Sequence, residues 1–173
     1  MNEIELDYKS MCETLSKEKR SSKEIRNAVI LSSTALEFAI TQTVEIGAKK
    51  LKISSLSKVT KQTFVPISKK LQLLYSEKMI DKALYENLLI LFRIRNKFAH
   101  ELFITAKDTD PAFVALKNAK TKNGFLKGLP NDSIKFQLFV SKCFVELLYI
   151  SKRLDPNSVL ELEAVGDFVP IED

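Results

Sequence analysis

Glycine and proline are scarce, four and five in 173 residues, too few for the many tight turns of a β-sandwich or β-barrel. Cysteine is scarcer. Cys12 and Cys143 are far apart and neither neighbours a histidine or a second thiol, which argues against a zinc site, a disulfide framework or a thiol nucleophile. Their pattern predicts reduced thiols filling a core in a cytoplasmic protein. Histidine occurs once, as His100. The chain has no glycine-rich phosphate loop and no serine in a nucleophile-elbow context, so the usual cofactor and hydrolase signatures are missing. Asp108 and Asp110 are too few for a hard-cation site that needs about six oxygen ligands. No metal and no cofactor is expected.

What is present is helical periodicity in a chain of single-domain size. The expected fold is an all-α, up-and-down bundle of about five main helices over residues 1–155, followed by an acidic C-terminal tail over 156–173. The net charge of +5 is the sum of two unlike parts: residues 155–173 carry six acids and no lysine or arginine, which leaves +11 on residues 1–154. Such a body attracts polyanions, and the tail can screen it. A lysine-rich solubilising surface accounts for the same charge.

In chain order, Ile4, Tyr8, Met11 and Leu15 predict an amphipathic helix over 2–19. Ser21-Ser22-Lys23-Glu24 is a capping-box pattern opening a second helix that runs to about Gly47 or a turn beyond. From Asn27 to Val44 Glu37 is its only charged residue, on the row Ile30, Ser33, Glu37, Ile40, Val44. The serines and threonines of this stretch favour a buried bundle helix over a membrane span. Residues 48–63 lack a period and predict a solvated connection. Pro66 opens a third helix with Ile67, Leu71, Leu74 and Tyr75 inward. Lys78 to Ile80 turns the chain, and Asp81 caps the fourth helix. Residues 103–130 predict a long basic loop with Phe113 and Phe125 interleaved and one short helix at Pro111 to Asn118. Loops of that length tend to carry function. Asp132 or Ser133 caps the last long helix, which Pro156 stops.

The fourth helix carries the stretch that matters most, Arg93-Ile94-Arg95-Asn96-Lys97-Phe98-Ala99-His100. Arg95 falls on the apolar row Leu84, Leu88, Leu91, Arg95, Phe98, and a guanidinium cannot discharge to escape burial, so it needs a counter-charge, an anion or a cleft. Glu37, the other lone charge on an apolar row, is the candidate partner. Fully buried, such a pair would cost roughly 3–5 kcal/mol to break. Arg95 and His100 are five positions apart, about 140° of helix rotation, and share a face only if the helix ends or bends near Ala99. Asn96 and His100 share one side. On the residues alone, two readings stand: His100 caps the helix and Arg95 closes an ion pair, or the stretch is a site.

Arg95-Asn96-Lys97-Phe98-Ala99-His100 resembles the R-x4-6-H signature of HEPN domains, small all-α bundles. Residues 67–102, a leucine/tyrosine helix, a short turn and a helix ending in IRN-x-FAH, look most like the bacterial mannitol-repressor-like branch. The resemblance implies a homodimer joining two motifs in a cleft and, in active members, metal-independent RNA cleavage. His100 would then activate or orient the 2′-hydroxyl, Arg95 would stabilise charge on the phosphate, Asn96 would orient the phosphate or the motif, and Glu37 would hold Arg95. Arg93, Lys97, Lys117, Lys120, Lys122 and Lys127 would contact RNA phosphates. A toxin or defence component with an antitoxin or regulatory protein partner fits this likeness. So does a non-catalytic regulator acting through protein contacts, since no DNA-reading helix is evident. A purely structural helical scaffold is the remaining alternative.

Overall fold

A computed structural model describes residues 22–100, 111–120 and 132–156. The predicted helix over 2–19, Cys12, Asp108, Asp110, Lys122, Phe125, Lys127 and the acidic tail from residue 157 lie outside the described residues.

The described residues form an all-α bundle without strands. The helices are α1 (Ser22–Lys50), α2 (Ser54–Thr60), α3 (Ile67–Ser76), α4 (Lys82–His100) and α5 (Asp132–Leu154), with a 3₁₀ helix at Pro111–Asn118. α1 is the hub and touches α2, α3, α4 and α5. Arg26 lies against Ala99 and Glu37 against Arg95, so α1 and α4 run in opposite directions. Thr43 lies against Ser151 and Lys50 against Asp155, so α1 and α5 run the same way.

By length and composition α1 is apolar enough to cross a membrane, despite the hydroxyls that argued otherwise. In the bundle those hydroxyls serve burial. Ser33 donates to the Val29 carbonyl at 2.7 Å and Thr43 to the Ala39 carbonyl at 2.8 Å, while the Thr43 and Ser151 hydroxyls meet at 3.0 Å. Each polar side chain thus finds an acceptor one turn back, and the α1–α5 contact can close over it. Gly47 packs against the Met79 side chain: a Cβ there would stand 2.5 Å from its methyl carbon, so that flexible side chain would have to move for any larger residue.

Residues 48–63 are not a bare connection. α2 forms in the middle of them because Leu56 and Val59 are buried against the core and Ser55 donates to Glu77 at 2.6 Å. These are tertiary contacts that override weak local periodicity. Tyr75 is also corrected: it faces out, stacked on Tyr85 with ring centroids 4.7 Å apart. The turn after α3 closes with Met79 N–H on the Leu74 carbonyl and Lys78 N–H on that of Tyr75, a Schellman end with Lys78 at φ 56° where glycine is usual. The Asp81 carboxylate caps α4, accepting from Leu84 N–H at 2.8 Å.

The 3₁₀ helix corrects the reading of the long loop at one point. Phe113 is buried, with its ring 5.0 Å from Phe98 and 5.9 Å from Phe136. It joins α4 to α5 as a core residue, because a ring of this size gains more from a ready apolar slot than from solvent. Cys143 is fully buried, and burial pushes its thiol well above the usual range. It stays protonated and inert.

Candidate functional site

The last two turns of α4 form one wall of a groove of about 1060 Å³. Leu89, Phe92, Asn96 and His100 step by three, four and four along its length, and Arg93 and Lys97 stand beside them. The facing wall is the extended segment Thr63 to Pro66 with the first turns of α3, which bring Ile67, Ser68, Lys70 and Leu71. Glu37 and Thr41 of α1 form the floor.

The groove collects the cations Lys70, Arg93, Arg95 and Lys97, together with His100, around Glu37, its one carboxylate among the described residues. The first turn of α3 has no acid and no side-chain cap, so the positive end of its dipole adds to the same potential. Thr41 organises the floor: its hydroxyl donates to the Glu37 carbonyl at 2.8 Å and accepts from the Lys70 ammonium at 2.8 Å.

Arg95 explains how residues on different rows meet. Its Cα is on the core row, but the side chain is 30% exposed and turns toward the groove, with Nη1 donating to Asn96 Oδ1 at 3.2 Å. α4 is helical through His100, and both Arg95 and His100 line the groove. No bend at Ala99 is required, because a long side chain spans the rotation between the rows. Nη2 stands 3.7 Å from Glu37 Oε1, the two side chains being 30% and 35% exposed. This is a loose, solvent-accessible ion pair and not the fully buried one expected. Nε is buried without a hydrogen-bond partner among the described residues. Among the described residues, then, it is the Nη groups of this part-exposed side chain, and not the buried Nε, that Arg95 can offer to a ligand in the groove. Behind it, Arg26 donates to the Ala99 carbonyl at 3.4 Å, a cation at the negative end of α4.

Of the residues singled out from sequence, Glu37, Arg93, Arg95, Asn96, Lys97 and His100 line this groove. Lys117 and Lys120 are exposed but do not line it. The Lys120 backbone is bonded to Asn87, and Asn87 and Asn96 are nine positions apart, about two and a half helical turns. The two lysines therefore belong to the opposite side of α4. Thr41, Phe64 and Lys70 were missed. Only the Phe-Val-Pro sequence at 64–66, an aromatic just before a helix-opening proline, offered a signal. Among the described residues no group of three or more side chains could hold a metal ion.

Comparison with family models, with curated proteins and with solved structures returns no match.

Proposed function

We propose that this groove binds the phosphate backbone of RNA and that the protein is a HEPN-type RNA-binding protein or metal-independent endoribonuclease of the cytosol. The observation that carries the reading is the convergence of Arg95, Asn96 and His100 on one groove with, among the described residues, three further cations and a single carboxylate. A polyanion is the ligand such a charge balance favours. A part-exposed guanidinium, held on one side by Asn96 and only loosely by Glu37, suits phosphate oxygens.

In the proposed reaction the His100 imidazole accepts the proton of a ribose 2′-hydroxyl. The 2′-oxygen attacks the adjacent phosphorus, the bond to the 5′-oxygen breaks, and a 2′,3′-cyclic phosphate and a 5′-hydroxyl result. Arg95 stabilises charge on the phosphoryl oxygens, while Asn96 fixes the guanidinium from its Nη1 side. One histidine per chain supplies the base but no second imidazole to protonate the leaving oxygen. A homodimer that joins two grooves would supply it, in keeping with the family likeness and with a role as a toxin or defence component held by a protein partner.

The test is incubation of the protein with RNA in EDTA beside folded His100→Ala and Arg95→Ala variants. Wild type should cleave to cyclic-phosphate ends, and each variant should lose at least about a hundredfold in rate. Cleavage that both variants retain would sink the site. Binding without cleavage, abolished by Arg93→Ala and Lys97→Ala, would leave the RNA-binding half of the reading standing.

A further inference from the structure

The groove has one wall that charge does not explain. Phe64 is 82% exposed, the most exposed of the large apolar side chains among the described residues, and it lines the same groove as the cations of α4. Its support is firm. Val65, the next residue, is buried, and Pro66 is held at φ −56° and ψ 141° as the residue before α3. A residue before proline is restricted to extended conformations, so Val65 anchors the segment and Phe64 projects from it. Tyr75, another exposed ring, is stacked on Tyr85, whereas Phe64 has no ring stacked on it among the described residues.

We infer that Phe64 is a stacking platform for a nucleobase and that the ligand of the groove is therefore single-stranded RNA with unpaired bases. The inference rests on the proposed RNA-binding function and deepens it. In a duplex the bases are stacked on one another and turned away from the phosphates, so a protein ring beside a cationic track has no base face to meet. A single strand offers both at once. Its phosphates lie along Arg93, Lys97 and Lys70, and one base turns onto the Phe64 ring. Thr63 and Ser68, which also line the groove, each carry a hydroxyl. Phenylalanine has no hydrogen-bonding group, so the contact is tolerant of base identity. The groove should discriminate strandedness more than sequence.

The chain contains no tryptophan, which makes the test direct. The full-length Phe64→Trp variant carries one tryptophan, at the platform, and its fluorescence should be quenched on titration with single-stranded oligoribonucleotides but not with a duplex of the same length. Phe64→Ala should weaken single-strand binding by about tenfold and leave the slope of log affinity against log salt unchanged. Lys97→Ala should lower that slope by about one. Phe64→Tyr should restore affinity and Phe64→Leu should not. Wild type that binds single strands while Phe64→Ala binds equally well overturns the platform and leaves the RNA site intact. Equal affinity for duplex and single strand does the same. Absence of RNA binding by wild type overturns both. Loss of self-association in Phe64→Ala, read by light scattering of the folded variant beside wild type, would assign Phe64 to a protein interface and overturn the platform as well.

Discussion

Two polar side chains on α4 meet opposite fates. Asn87 is 1% exposed, and its amide pairs twice with one residue: Oδ1 accepts from Lys120 N–H at 2.8 Å and Nδ2 donates to the Lys120 carbonyl at 3.1 Å. At 1% exposure the amide is closed to any ligand. Arg95, on the groove side, has among the described residues one hydrogen bond to its neighbour, a loose ion pair to Glu37 and a buried Nε with no partner. Burial of a polar group is affordable when the protein satisfies it, so Asn87 reads as architecture. A part-exposed guanidinium in a cleft, held only by a loose ion pair, reads as a binding group. The back of α4 is thus built to be closed and the front to be filled.

The closed side should break first. Phe113→Ala removes the ring that bridges Phe98 and Phe136, and the void should destabilise the fold by about 3–5 kcal/mol, measured by denaturant unfolding. If the fold survived unchanged while RNA affinity collapsed, Phe113 would belong to the binding side after all. Asn87→Ala should cost less, about 2 kcal/mol, because it strands the Lys120 N–H and carbonyl in a partly buried position. Its RNA affinity and salt slope, measured in a range where the variant is folded, should equal those of wild type. A lowered slope would show that the two faces are coupled.

How much of this was legible depended on how far away each partner lies. α1 could be read from its capping box and its run of uncharged residues, and the Asp81 cap and the 3₁₀ helix at Pro111–Asn118 from local punctuation. Arg95 and Glu37 could be paired across fifty-eight positions because each is a lone charge on an apolar row. Asn87 gave no sign, since its partner is the backbone of Lys120, and a backbone group leaves no mark in composition. α2 was hidden for a related reason. Two inward residues, Leu56 and Val59, make no periodicity, and its position comes from contacts with α1 and Glu77. Phe113 was read with its loop, as an aromatic interleaved among lysines in a segment of functional length, when burial between two helices uses the same residue. Phe64 is the converse: an apolar ring on a connection, exposed at the mouth of the groove.

The smallest expected effect is at Glu37. Because the Arg95 and Glu37 side chains are 30% and 35% exposed and 3.7 Å apart, solvent screens most of their attraction, and breaking the pair should cost at most about 1 kcal/mol. A double-mutant cycle with Glu37→Gln and Arg95→Gln should therefore give a coupling energy below about 1 kcal/mol. The functional effect has the opposite sign. Glu37→Gln removes the one carboxylate known to face the groove, keeps the shape of the side chain and frees the guanidinium, so RNA affinity should rise several-fold at low salt and converge on wild type as salt is added. A coupling energy of 3 kcal/mol or more, with affinity unchanged, would make Arg95 a structural residue like Asn87 and erase the contrast between the two faces of α4.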